Sequence, residues 1–577
     1  MMTKKFDPIL LEILWTRMIS IADEIGATIA DAGFSTVLRE NHDYSCAVFD
    51  TAGMMLAQAS QSATGHIGAM PYLAKEFLKR FPPGSLQDGD LLITNDPWIG
   101  CGHSNDVYIG GPIFRKGAMV GMIFTSAHQM DIGGRLASPE SREVYEEGIL
   151  LPPMKLYRAG QPNQDIWDII RMNVRFSEKV VGDLRAQVSA TYVGCQRVLQ
   201  VMDEYNLDEL ETVAGAIIQQ TEIRMREAIS LLPDGVYHSR ANLEMTDIDG
   251  KPIEVVAKVV VDGDHIVVDY EGTTPEVSKP VNCVFNYCRT YTVLGIKLVV
   301  APFLPNNEGS YRPIEIRAPL GSVLNARFPA ACYNRHFIGL RLPDVLFTAL
   351  STCAPDKVIA GSGACPVWLY TVAGQRGDEQ PFLLNSHVFG GLGARPDADG
   401  VSAVAFPPNI YDIQAEVIET ETPLLIEYRR YRSDSGGAGL YRGGLGEEFK
   451  ISAWEKGDLR AEKQVVVGVV PGRYVEPAAG LFGGKPGALG DVQLNEASII
   501  STVGKDQYLS IGDTLIYRTP GGGGYGDPLA RSPELVAEDV RLGYVSPEKA
   551  VSDYGVVVDP KTFAPDLGAT AARRKSA

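Results

Sequence analysis

Apolar residues recur every three or four positions at Ile9, Ile13, Leu14, Met18, Ile21 and Ile25, directly after Asp7-Pro8. That spacing predicts a helix capped by Asp7 with Pro8 in its first turn. A strand-like run, Tyr44 to Asp50, a turn at Thr51-Ala52-Gly53 and a second strand from Met54 to Gln58 follow, then a helix from Pro71 to Arg80. Leu91–Thr94 reads as a strand broken by Asn95-Asp96-Pro97, and an apolar hairpin lies between His103 and Asp131. From 164 to 232 the period is three to four again (Ile166, Ile170, Val174, Val180, Leu184, Val188), which predicts helices forming a bundle or a layer over the sheet. The period then becomes two: Val255–Val261 and His265–Tyr270 flank Asp262-Gly263 as a β-meander. His238 and His265 sit in those alternating runs and read as solvent-face or cross-strand residues. Residues 280–450 are a Gly- and Pro-rich mixture of short elements, and strand character returns at Val465–Val470 and Leu509–Asp513. A helix-and-cap pattern closes the chain from Pro533 to Tyr554. The expectation is an α+β, multi-domain chain of mixed sheets with a helical segment and a β-rich C-terminal half. Its expected spans are 1–160 (α+β, carrying the candidate site), 161–232 (helical), 233–450 (meander and Gly/Pro-rich region) and 451–577 (β-rich, with a terminal helix).

Composition narrows the class. The 577 residues are 45% hydrophobic and 21% charged, near the globular average. No apolar run reaches the roughly 18 residues that span a bilayer. The first helix mixes Asp7, Glu12 and Arg17 into its apolar positions, unlike a signal peptide, so a cytoplasmic protein without a membrane partner is expected. The 8 cysteines form no CxxC pair and read as reduced, buried thiols. A net charge of −18 with no strong basic cluster excludes nucleic acid as a partner, and the Arg573-Arg574-Lys575 tail reads as a frayed end.

Candidate chemistry concentrates between Thr94 and Gly134. His-x-x-Asp occurs twice there, at His103/Asp106 and His128/Asp131, in a chain with only 8 histidines. Imidazoles with carboxylate oxygens suit a borderline divalent cation, zinc or manganese. Three His/Asp positions from these two motifs would fill three coordination places and leave others for water or substrate. Asp43, which opens a strand after the polar run Arg39–Asp43, is a further candidate. Asp96 and Asp106 are candidates to orient the imidazoles. Equally, the histidines could be buried donors satisfied by their own aspartates, with no metal. His66, ahead of a helix, reads as a cap or as a cavity residue. The glycine run Gly521–Gly524 and those at 436–439 and 443–446 lack a following Lys-Ser/Thr and read as tight irregular turns rather than phosphate loops. No GxSxG elbow occurs, and in Ser386-His387 the two side chains of a strand point apart.

Taken together, Arg39–Cys46, Asn95-Asp96-Pro97, Gly102–Asp106, His128–Gly134, Glu147-Gly148, Asp434–Gly439 with Arg442-Gly443-Gly444, and Pro520–Asp527 resemble the hydantoinase B/oxoprolinase family. That family holds the beta subunits of ATP-dependent hydantoinases and caprolactamases, with the metal-bearing alpha subunit of acetone carboxylase a longer relative. Cys101-Gly102 departs from the more usual Gly-Thr before the histidine, and Tyr333-Asn334-Arg335-His336 is also atypical. The resemblance implies a division of labour. A larger alpha subunit of actin-like fold binds ATP and magnesium and phosphorylates the carbonyl oxygen of a small cyclic amide (a hydantoin, 5-oxoproline or a lactam). The chain described here then holds zinc or manganese on His103, His128 and Asp131, with Asp43 as fourth ligand. Asp106, Asp96 or His66 is the implied general base, and α2β2 the implied assembly. Two other readings stand beside it: a subunit of an ATP-dependent ketone carboxylase of acetone or acetophenone type, and a non-catalytic scaffold for the ATP-binding subunit.

Overall fold

The computed structural model describes residues 7–135, 138, 140–246, 250–376, 380–454, 465–499 and 507–576. The chain divides into two compact units: 1–240, 247–343 and 408–411 form the first, and 241–246, 344–407 and 412–577 the second. The four expected spans therefore do not separate as four bodies. The 161–232 helices lie inside the first unit, and the 233–450 span contributes to both.

In the first unit, α1 (Pro8–Ala32) is capped as its sequence demands, Asp7 accepting from the Ile9 amide at 2.9 Å. After the short α2 (Thr36–Arg39) come β1 (Tyr44–Phe49), β2 (Met55–Gln58), α3 (Thr64–Arg80), β3 (Leu91–Thr94), β4 (Asp106–Arg115), β5 (Ala118–His128), β6 (Met154–Arg158) and β7 (Gln161–Pro162). They build one antiparallel sheet of order β2-β1-β5-β4-β3-β6-β7. The helices α4 (Gln164–Asn173), α5 (Ser177–Glu204) and α6 (Glu211–Ile229) follow. Helices α1, α5 and α6 share a core with Cys46, Val48 and Ile123 of the sheet. On the opposite face Phe49 and Phe77 of α3 pack on Phe124, ring centroids 5.1 and 5.7 Å away. With both faces covered, β1 is buried at every position and shows none of the in-out alternation of a half-exposed strand. The 161–232 helices are amphipathic, and the sheet supplies the apolar surface that their inner faces need.

Two boundaries move from expectation. Helix α3 starts at Thr64 rather than Pro71, so His66 lies in its first turn. Gly65, Gly68 and Pro71 mask the helical pattern, and Gly68 is there for packing. A Cβ on it would lie 2.3 Å from Thr290 Cγ2 on the neighbouring α7 (Phe285–Val300). Cys288 lies buried in that helix. The expected meander is present: β8 (Gly235–Thr246), β9 (Pro252–Asp262) and β10 (His265–Asp269), extended by a parallel β11 (Ile314–Arg317).

The second unit packs two antiparallel sheets. One has the order β13-β12-β16-β19, with β12 at Trp368–Gln375, β13 at Pro381–Val388, β16 at Val465–Val470 and β19 at Gln507–Leu509. The other runs β14-β15-β20-β17-β18, with β14 at Leu424–Tyr431, β15 at Glu447–Ala453, β17 at Asp491–Leu494, β18 at Ala497–Ser498 and β20 at Thr514–Arg518. Their inner faces share one core, in which Tyr370, Phe449 and Tyr517 rings meet at 5.4–6.0 Å. The glycine runs of this unit are not tight turns. They are buried stretches lying side by side and bonded backbone to backbone: Gly522 N to Gly444 O at 2.9 Å, Gly444 N to Leu392 O at 2.8 Å, Gly391 N to Pro520 O at 3.0 Å. None of Gly521–Gly524 has a positive φ. Glycine is needed for close approach, since a Cβ at Gly443 would sit 1.9 Å from Gly522 O and one at Gly522 2.0 Å from Leu392 O. The same crowding imposes glycine at the axis of collagen. Among the described residues no helix is long and apolar enough to cross a membrane, and all eight cysteines are free thiols.

A pair of substitutions tests this packing. Gly522→Ala should lower the urea midpoint of the second unit, with a loss of about 3 kcal/mol, because a backbone carbonyl must give way. Gly215→Ala in α6, where a Cβ meets nothing within 4 Å, should be neutral or stabilising by up to about 1 kcal/mol. Equal effects would show that backbone crowding is not the reason for glycine at 522.

Candidate metal centre

Strand register assembles the site. Asp106, first residue of β4, pairs with His128, last residue of β5. Tyr44 of β1 pairs with Ala127, so Asp43 lies beside His128, whose amide donates to the Asp43 carbonyl at 3.0 Å. Three adjacent strand ends thus carry Asp43, His128 and Asp106. The start of β1 also fixes α3, through Ala63 N to Tyr44 O at 3.0 Å and Ser45 Oγ to Ala63 O at 3.0 Å, and this delivers His66. The loop before β4 is pinned by Asn95, whose side chain donates to Ser104 O at 2.6 Å and to Ile149 O at 2.9 Å and accepts from Leu151 N at 2.6 Å. His103 sits at the end of that loop.

Three imidazoles converge on one oxygen. Asp106 Oδ1 lies 2.7 Å from His103 Nε2, 3.0 Å from His66 Nε2 and 3.0 Å from His128 Nδ1. Asp43 stands behind, 3.6 Å from His66 Nε2 and 3.8 Å from His128 Nδ1. The rings of His103 and His128 are 4.9 Å apart, close enough to share an ion. On the other oxygen, Asp106 Oδ2 accepts from Arg335 Nη2 at 3.1 Å and from the Cys101 thiol.

Electrostatics follow from burial, since Asp106 has no exposure. Burial alone would raise its carboxyl, but His103 and His66 hold it well below the usual carboxylate range, so it is an anion. Burial and the Arg335 charge push His103 down to about 3, leaving a neutral ring with a lone pair to offer. For His66, burial acts downward, yet the Asp106 and Asp43 charges win and raise it.

A divalent cation fits this donor set. One carboxylate oxygen has two lone pairs, too few for three ring N–H donors. The Nδ1 atoms of His66 and His103 are buried without a partner among the described residues whichever nitrogen carries the hydrogen. A cation on His103, His128 and Asp106 would use two ring lone pairs and Oδ1 together, leaving one ring, His66, to pair with Asp106. The facing ligand atoms of His103, Asp106 and His128 lie within 4.8 Å of one another.

Two of the expected site residues lie elsewhere. Asp131 is not gathered with the histidines: its Oδ1 accepts from Gly133 N at 2.9 Å and from Arg175 Nη1 at 2.9 Å, and its Oδ2 from the Arg175 and Phe176 amides. The physical reason is position. His128 ends β5, so a residue three further on lies in the next turn, whereas Asp106 opens β4 and faces back to His103. Asp96 accepts from Trp98 N at 2.9 Å in its own turn, with burial raising its carboxyl. Asp106, expected to orient the rings or act as base, is the central carboxylate. The local pattern did not reveal the role of Arg335, which is 229 positions from Asp106. Its segment is held by Glu147, whose Oε1 accepts from the Cys332 and Tyr333 amides at 2.8 Å, and the Tyr333 ring lies 5.4 Å from that of His103.

A sheet whose adjacent strand ends present a carboxylate among histidines defines a candidate single-ion centre of mixed nitrogen and oxygen donors. The chain belongs to the Hydantoinase B/oxoprolinase family, whose sequence profile matches residues 7–528. It is 31% identical over 579 residues to a putative D-/L-hydantoinase subunit of Pseudomonas sp. (strain NS671), covering 96% of each chain. The crystal structure of an ATP-dependent caprolactamase from Pseudomonas jessenii superposes with a TM-score of 0.87 at 28% identity, over 99% of this chain and 100% of that one. The fold is also that of a nucleotide-free acetone carboxylase structure, with a TM-score of 0.86 at 21% identity, over 99% of this chain and 83% of that one.

Glu147 gives a pH test of the network around the centre. Burial lifts its carboxyl to about 7, against the pull of the Tyr333 and Cys332 amides and Arg335, whereas an unfolded chain has about 4.3. The folded state therefore keeps a proton that the unfolded state has released. The stabilisation is complete below pH ~4.3 and is lost as pH rises to about 7. Relative to Glu147→Gln, wild-type unfolding free energy should fall across that window by up to about 3 kcal/mol. A difference that does not vary with pH would show that Glu147 is ionised throughout.

Proposed function

We propose that this chain is the metal-holding beta subunit of an ATP-dependent cyclic amide hydrolase. It acts with a larger ATP- and magnesium-binding alpha subunit of actin-like fold, in an α2β2 assembly, on a hydantoin, 5-oxoproline or lactam ring. The observation that carries the reading is the convergence of His66, His103 and His128 on Asp106 Oδ1. Family membership and the relatives named as a hydantoinase subunit and a caprolactamase support the substrate class.

An unstrained amide resists water, and the partner lowers that barrier by moving the γ-phosphoryl group of ATP to the amide oxygen. One water adds to the activated carbon, the ring nitrogen takes a proton as the C–N bond breaks and leaves an acyl phosphate, and a second water releases phosphate and the carboxylate. Zinc or manganese bound at the centre supplies electrophilic polarisation and makes water acidic near neutrality. His103, His128 and Asp106 hold the ion, with Asp43 as the further carboxylate. His66 accepts the proton: its Nε2 faces both Asp106 and Asp43, at 3.0 and 3.6 Å, which stabilise the imidazolium formed. Asp96 and Asp131, engaged in their own turns, take no part.

Metal analysis of the purified full chain separates these roles. Asp106→Asn should reduce zinc affinity at least about 10-fold, and Asp131→Asn should leave the metal content at the wild-type level. A wild-type chain free of metal after growth in zinc and manganese would favour the scaffold reading. With the large subunit added, ATP turnover should depend on a lactam, hydantoin or 5-oxoproline and not on bicarbonate, and His128→Ala should abolish ring opening. Bicarbonate-dependent turnover with a ketone would instead assign the chain to the carboxylases.

A further inference from the structure

Two donor sets share Asp106. One is His103, Asp106 and His128; the other is His66, Cys101 and Asp106, and in each the ligand atoms lie within 4.8 Å of one another. Taken alone, either offers three donors suited to a borderline cation. They are not equally open. The guanidinium of Arg335 lies against the second, with Nη2 3.2 Å from Cys101 Sγ and 3.1 Å from Asp106 Oδ2, and with Nε bonded to the Cys101 carbonyl. Arg335 is buried, and its guanidinium lies 4.5 Å over the Tyr287 ring. It passes where a Cβ on Gly102 would come within 2.6 Å of its Cδ, so glycine at 102 admits it. The two segments that depart from the family's usual pattern, Cys101-Gly102 and Tyr333–His336, are therefore in contact with each other.

We infer that Arg335 is a positioning residue that serves as the fixed cation of the centre. It binds the outer oxygen of Asp106 and the Cys101 thiol, keeps a second ion out of the His66–Cys101–Asp106 set, and leaves Asp106 Oδ1 to a single ion. A guanidinium suits this task because it does not lose its proton, and its fork spans the carboxylate, thiol and carbonyl at once. Like charges repel strongly in a buried site, and a divalent ion feels twice the repulsion of a single charge. A second ion and Arg335 therefore exclude each other.

The inference rests on the metal reading above, and cobalt titration of the chelator-stripped full chain separates the two. Wild type should bind one equivalent of Co²⁺ without a thiolate-to-cobalt charge-transfer band. Arg335→Met should gain a second equivalent together with that band, and Arg335→Met/Cys101→Ala should lose both. Arg335→Lys should keep one equivalent, bound about 10-fold more weakly, because one ammonium replaces the fork. One equivalent at wild-type affinity in Arg335→Met, or a thiolate band in wild type, would overturn the role of Arg335. If Arg335→Met does not fold, Arg335→Lys decides: two equivalents, or undiminished affinity, overturns it as well. A wild-type chain that binds no cobalt defeats the metal reading itself, and the inference with it.

Discussion

An ionised carboxylate with no exposure to water sits at the start of β4, and the surrounding structure is arranged to sustain it. Taking such a group out of water costs several kcal/mol, which only close partners offset. Asp106 has them on both sides: Arg335 and the Cys101 thiol on Oδ2, three imidazoles on Oδ1. This division gives the carboxylate one structural face and one chemical face. The chemical face gathers more nitrogen donors than a carboxylate oxygen can accept from, a donor set that a divalent cation fits.

Rigidity comes from the sheet rather than from the site. Asp43, His128 and Asp106 close three neighbouring strands buried on both faces, so their spacing follows backbone pairing and is not left to side-chain freedom. The fourth contributor, His66, is tied to the same strand ends through Ala63. The second unit uses a different device for order. Its buried glycine stretches approach until carbonyl oxygens occupy the places that Cβ atoms would take.

The two His-x-x-Asp copies show where local pattern stops being informative. They read alike, yet in the first the aspartate opens a strand and in the second the histidine closes one. Strand geometry returns Asp106 to the rings, and the following turn sends Asp131 to Arg175. The helix carrying His66 reads late for a related reason. Gly65 and Gly68 weaken its helical signal, and Gly68 is demanded by contact with Thr290, more than two hundred residues away.

Periodicity alone settled much here: the first helix and its cap, the hairpin between two histidines, the helical stretch near the middle and the β-meander. These depend on neighbours within a few dozen positions, and the 3.6 and 2 periods record which face meets the core. Long-range packing decided everything that brings distant segments to one point: Arg335 on Asp106, Glu147 beneath Tyr333, the glycine stretches on one another, and the choice of Asp106 over Asp131. Such contacts leave no mark at any fixed spacing, because they are set by where strands and helices lie in space, and the chain's order does not encode that locally.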